Sequence, residues 1–319
     1  MRAPQLRGSP TAGSRTVGPQ TAGPASDADV PAYWQALGLP GIVDVHVHFM
    51  PDRVMRKVWA YFDAAGPLTG RRWPIHYRWS DDDRLAHLRR MGVRAFPSLL
   101  YPHKPGMAAW LNDWAAAFAE AHPDVVSTAT FYPEPEVTGY VEQALRRGAR
   151  LFKVHVQVGG FDPRDPLLDE VWGMLADAGV PVVVHAGNGP TPGAHTGPGP
   201  IAEVLARHPS LSMVIAHMGM PEYDDFLDFA ERFGNVHVDT TMCFVDFFDA
   251  ELAQQLRTSL APRLRGLQHK VLFGADFPNI PHEYAHQVDV LVRLGLGDDW
   301  MRDVMWHNGA RLLGVRQPG

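Results

Sequence analysis

The sequence predicts an α/β fold, a (β/α)8 TIM barrel preceded by a disordered N-terminal tail. Three observations carry that prediction. From residue 40 onward, eight short Val/Ile-rich runs alternate with longer segments of helical period, close to the spacing of roughly 30 residues that a βαβ unit requires. Helix start and stop signals stand between the runs. Histidines and acids gather at the C-terminal ends of the runs, the face on which barrels build their sites. Parallel strands joined by right-handed crossovers close most simply into a barrel of about 250 residues, with a doubly wound open sheet as the structural alternative.

In chain order, residues 1–30 come first. They are rich in Pro, Gly, Ala, Ser and Thr, carry Arg2, Arg7 and Arg15, and have no acid before Asp27. Without a continuous apolar stretch they fit neither a secretory signal nor a membrane span, so a disordered tail is expected over 1–30 and one barrel domain over 31–319. Strands are expected at 42–49, 94–100, 125–132, 150–157, 181–187, 212–218, 236–242 and 271–278. Helical segments fill the gaps, among them DDDRLAHLRRM, PLLDEVWGMLADAG, DDFLDFAERFG and AELAQQLRTSL, with stops marked by Gly148, Gly179 and Gly234. Two connections are unusual: 50–80 holds the insertion GRRWPIHYRW, and 187–200 is too rich in Gly and Pro to be regular. Both follow strands and so fall on the site-bearing face.

Composition narrows the function classes. With 45% hydrophobic and 20% charged residues in 319, the chain reads as an ordinary globular protein. Cys243 is the only cysteine, which excludes an internal disulfide framework and makes the cytoplasm the expected compartment. The net charge of -6 argues against nucleic acid or an anionic membrane as partner. No GxSxG or GxxxxGK segment supports a serine hydrolase or a P-loop enzyme. A small-molecule substrate is the expected partner, and a homo-oligomer stays open.

The stretch IVDVHVHF, residues 42–49, carries the chemistry. Outward positions of a barrel strand meet the helices and must be apolar, so Val43, Val45 and Val47 face out and Asp44, His46 and His48 face the lumen. At ~3.3 Å per residue, His46 and His48 can reach one ion. An HxH pair alone is weak among 16 histidines. The later runs add weight: VVVHAG ends in His185, VIAHMG in His217 and FGADFP in Asp276, all at strand ends. Imidazoles with a carboxylate suit one divalent cation, with Zn2+ favoured and iron, manganese or cobalt as alternatives.

These motifs, with the terminal WHNGARLLG, resemble the amidohydrolase superfamily in order across residues 42–314, in the branch that contains aminocarboxymuconate-semialdehyde decarboxylase and γ-resorcylate decarboxylase. The resemblance implies His46, His48 and His185 as metal ligands, with Asp276 completing the site or sharing the metal-bound water. It implies Asp276 and His217 as catalytic groups, His217 contacting the metal or acting as a base beside it and, in a hydrolase, stabilising the oxyanion. It implies either a hydrolase using a metal-activated water on a C–O or C–N bond, or a nonoxidative decarboxylase of a small unsaturated or aromatic acid. In binuclear members a carboxylated lysine ends strand four. Here Lys153 lies deeper than His155, so one metal is expected, with His155 facing substrate. His195 in the 187–200 loop and Arg72 in the insertion, beside Arg71, Trp73 and His76, are candidates for holding a substrate carboxylate.

Overall fold

The computed structural model describes residues 19–69, 72–247 and 249–316. Among them run nine strands: β1 (Ile42–Val43), β2 (Val93–Pro97), β3 (Val125–Val126), β4 (Thr128–Thr130), β5 (Leu151–His155), β6 (Val182–His185), β7 (Met213–Ile215), β8 (Val236–Asp239) and β9 (Val271–Leu272). They pair in parallel and in sequence order, β1 to β3 in one sheet and β4 to β9 in another. β3 and β4 are the two halves of the third expected strand, parted at Ser127, so all eight expected strands are present. Past β9 the chain returns to the first strand: Val45 N–H donates to Phe273 O at 2.9 Å, His48 N–H donates to Phe277 O at 2.7 Å, and Val47 bridges Phe277 in parallel. The fold is the expected (β/α)8 barrel.

Helix ends follow from local chemistry. Ser80 accepts from Asp83 N–H at 3.2 Å, and Asp81, Asp82 and Asp83 place negative charge at the positive end of the helix Asp81–Met91. The helix Pro166–Ala178 has Asp165 as its cap and closes on Gly179 at φ 62. The stop expected at Gly234 falls earlier, because the helix Tyr223–Arg232 ends on Phe233 in extended backbone.

The alternation within the first strand is as the pleat requires. Val43, Val45 and Val47 are fully buried, and a Cβ added at Gly309, in the closing helix Asn308–Leu313, would stand 2.8 Å from Val43 Cγ1. Each such valine contributes about 1.5–3 kcal/mol by burial. The opposite parity, Asp44, His46 and His48, is thereby turned inward. Regular pairing nonetheless stops at Val43, and Asp44 supplies the reason. Its carboxylate accepts from His46 N–H at 3.0 Å, Ala275 N–H at 3.2 Å and Tyr284 OH at 2.9 Å, replacing ladder acceptors with a side chain.

Of the expected tail, residues 1–18 lie outside the described residues. Residues 19–30 are a correction to the boundary drawn from composition, because they are tied to the barrel. Thr21 donates through its N–H and hydroxyl to Asp298 at 2.7 and 2.9 Å. Asp27 accepts from Tyr77 OH, from Ala285 N–H at 2.8 Å and from His87 Nε2 at 2.8 Å. Composition registers missing apolar residues, but polar anchors hold this strap. No helix among the described residues is long and apolar enough to cross a membrane.

Candidate functional site

At the C-terminal mouth of the barrel, His46 Nε2, His48 Nε2 and Asp276 Oδ1 converge. One donor atom from each residue lies within 4.8 Å of the other two. Asp276 Oδ1 is 2.9 Å from His48 Nε2 and 3.6 Å from His46 Nε2. Asp276 sits at φ 63, a left-handed conformation that strains a non-glycine residue by roughly 1–2 kcal/mol. Its N–H donates to His46 O at 2.9 Å and its carbonyl accepts from Asn279 N–H at 2.9 Å, so the closing turn holds that conformation.

The far side of each ring fixes its tautomer. A carbonyl oxygen can only accept, so His48 Nδ1 carries the proton it donates to Leu99 O at 2.9 Å. His46 Nδ1–H likewise donates to Asp239 at 2.8 Å. Both rings then turn Nε2 lone pairs toward the Asp276 carboxylate. Three converging acceptors need a positive charge between them. A proton on His48 Nε2 can supply it for one pair and the Lys153 ammonium, 3.4 Å from His46 Nε2, for another, whereas a divalent ion supplies it for all three, so the residues fit a metal with its carboxylate and carbonyl partners in place behind the ligands.

Titration agrees with that arrangement. Burial, with Lys153 nearby, pushes the His46 imidazole down to about 3, leaving it neutral. Burial raises the Asp276 carboxyl, but the hydrogen bond from His48 leads the opposing contributions, and the group is held below the usual carboxylate range. Burial also pushes Asp44 up to about 8, against three hydrogen bonds that favour its anion.

The other expected residues are placed as follows. His217 packs 4.7 Å from His185 and 5.1 Å from His46, ring centre to ring centre. Its Nδ1–H donates to Thr241 O at 3.1 Å and burial lowers its pKa, so it presents a lone pair to the site. His185 stands apart from the three converging donors: its Nε2–H is taken by Gly189 O at 2.9 Å, and its ring stacks on His155 at 3.8 Å. Burial holds both His155 and His185 well below the ordinary imidazole value. Lys153 is closer than its depth in the strand suggested. Its Nζ is 3.4 Å from His46 Nε2, and burial brings it down to about 8.

Above these groups opens a cavity of about 1170 Å³. His46, His48, Lys153, His155, His185, His217 and Asp276 form its floor, and apolar side chains dominate its walls. The 50–80 insertion supplies one wall through the helix Asp52–Ala64 and Trp73, whose Nε1–H donates to Asn279 O at 2.7 Å. Arg72 is exposed and absent from the lining, and Arg71 lies outside the described residues. His195 also stays out of the lining, its Nδ1 3.4 Å from Asp162.

Asp239 was not singled out from sequence. It is fully buried, and besides His46 it accepts from His217 N–H at 2.8 Å and Thr241 N–H at 3.1 Å. One carboxylate thus orients two site histidines. Its signal was legible: VHVD ends the seventh strand with an acid, as FGAD ends the eighth.

With the geometry established, comparison places the chain. The amidohydrolase family model matches residues 43–315, and the chain belongs to that family. An uncharacterized TIM-barrel protein of Bordetella bronchiseptica superposes with a TM-score of 0.68 at 19% identity, over 86% of this chain and 98% of that one. The 5-carboxyvanillate decarboxylase LigW of Sphingomonas paucimobilis gives 0.61 at 17%, over 87% and 100%. A protein of Acinetobacter baumannii described as a probable 2-pyrone-4,6-dicarboxylic acid hydrolase gives 0.58 at 15%, over 86% and 100%. At these identities the likeness is one of fold. No curated protein matches the chain by sequence.

Proposed function

We propose that this chain is a metal-dependent hydrolase of a small-molecule C–O or C–N bond, with one divalent ion, Zn2+ favoured, held by His46, His48 and Asp276. The observation that carries the reading is the convergence of three acceptor atoms on the floor of a large cavity. His185, one ring away, is the fourth candidate ligand. When bound, a divalent ion supplies Lewis acidity, acidifying a water and polarising a substrate oxygen. Asp276, ionised at neutral pH, accepts the proton of the attacking water and returns it to the leaving group. Of the roles expected of His217, the base fits its hydrogen bonding better than the oxyanion stabiliser. Neutral and with Nδ1–H committed to Thr241 O, it offers a lone pair and can accept a proton. Lys153 adds a buried positive charge beside His46.

Nonoxidative decarboxylation is the second reading, and the burial of the floor histidines favours it. The same burial that keeps His155 and His185 neutral would strip water from a substrate carboxylate and favour its loss as CO2. Turnover of a panel of lactones, amides and aromatic acids in ¹⁸O-labelled water separates the two. Hydrolysis puts the label into product. Stoichiometric CO2, with a solvent deuteron on the product carbon in D2O, would overturn the hydrolase reading and establish the second.

A further inference from the structure

The cavity is larger than a one-ring acid needs. Ligand pockets usually span ~300–1,000 Å³, and this one reaches about 1170 Å³ with mostly apolar walls. Its floor is polar, and its mouth is polar again and cationic. Arg53 and Lys57 lie one turn apart on the helix Asp52–Ala64, so both face the same side, and His103 and Lys104 join them from the loop after β2. Burial and the positive charges of Lys104 and Lys57 lower the His103 imidazole. Arg53 lies 4.1 Å over the Trp110 ring. Among the described residues, Arg53, Lys57 and Lys104 form no ion pair. The one acid in the lining beyond Asp276 is Asp249, and it caps the helix Ala250–Gly266 by accepting from Leu252 N–H at 2.9 Å.

Like charges kept together without acidic partners repel, and a bound anion relieves the repulsion. Tyr101 connects the two ends of the cavity. Its ring is 5.9 Å from His48 and 5.0 Å from His155, and its chain leads directly into His103 and Lys104.

We infer that Arg53, Lys57 and Lys104 form a distal anion subsite, so the substrate is an amphiphile: a bulky apolar body with its reacting bond at the histidine floor and an anionic group at the opposite end. Only the location of the reacting bond rests on the proposed function. The apolar walls accept the body, and the cationic rim sets its orientation.

The test is calorimetric titration of the zinc-loaded protein with biphenyl-4,4′-dicarboxylate and with its half-amide, which keeps the size and removes one charge. Exposed charge pairs are individually weak, so three together should give the dicarboxylate about a tenfold advantage. That advantage should shrink as salt is raised. The triple variant Arg53→Gln, Lys57→Gln, Lys104→Gln alters exposed residues only. It should bind the two probes alike while matching the wild type in circular dichroism and in its affinity for the half-amide. An equal preference in wild type and variant, or no preference in the wild type, overturns the subsite. The metal reading fails separately: protein that retains no zinc but still prefers the dicarboxylate, with that preference lost in the triple variant, refutes the metal centre and leaves the subsite standing.

Discussion

Asp239→Asn isolates the carboxylate behind the metal ligands at nearly constant shape. In the wild type one carboxylate oxygen accepts from His217 N–H and Thr241 N–H, and the other accepts from His46 Nδ1–H. Asparagine has one acceptor oxygen and one NH2. If its NH2 faces the two backbone donors, both are left unsatisfied, at about 1–3 kcal/mol each. If its NH2 faces His46, a single contact is lost, and the ring can restore it by moving its proton from Nδ1 to Nε2. The second arrangement is the cheaper, and it covers the lone pair that points at Asp276. Metal affinity should therefore fall, and the loss for partners of this kind is typically about 10–100-fold. Competition with a chromophoric chelator measures it, with circular dichroism to show that the barrel is intact. Wild-type affinity in a folded Asp239→Asn protein would refute the assigned tautomer and, with it, the argument for converging lone pairs.

Other expectations follow from particular contacts. Gly274→Ala places a Cβ 2.3 Å from Thr241 Oγ1 and 2.8 Å from His46 Cβ, so His46 must move; a destabilisation of about 1–3 kcal/mol in urea unfolding and weaker metal binding should appear together. Asp276→Asn removes the proposed proton acceptor, and activity should fall ~10²–10⁴-fold while some metal is retained. His217→Gln should show a loss of the same order if His217 accepts a proton, and a much smaller one if it only lines the site. For the strap, burial raises the Asp27 carboxyl, but the His87 and Tyr77 hydrogen bonds outweigh it and set the group below its ordinary 3.8. Its stabilisation is therefore complete above that value and is lost as pH falls through the lowered one. Amide exchange over residues 19–30, after correction for the intrinsic rate, should accelerate in acid in the wild type, and should be fast already at neutral pH in Asp27→Ala.

Much of the barrel was legible because its signals are local. Val43, Val45 and Val47 declare an outward face, and the alternation turns His46 and His48 inward whatever the loops do. Asp276 was legible for the same reason, as an acid at a strand end. What escaped depends on long-range pairing. Residues 19–30 look like tail by composition, yet Thr21 and Asp27 find partners more than 250 positions away in Asp298 and Ala285. Lys153 reads as a deep residue from its place in the strand, but the length of its side chain carries Nζ to His46. His185 shares a strand-end position with the converging residues, and only the return of the loop to Gly189 shows that its Nε2 is engaged. Which face His217 presents depends on a single backbone carbonyl, Thr241 O, which no spacing in the sequence reveals.

The central claim is that His46, His48 and Asp276 hold a divalent ion. Elemental analysis of the wild type, His46→Ala and His48→Ala, prepared alike and dialysed against metal-free buffer, tests it most directly. The account predicts about one ion per chain in the wild type, following the single open site of a mononuclear centre, and little in either variant, with the barrel still folded by circular dichroism. Full occupancy in both variants, or two ions per chain lost together on Lys153→Ala, would contradict it.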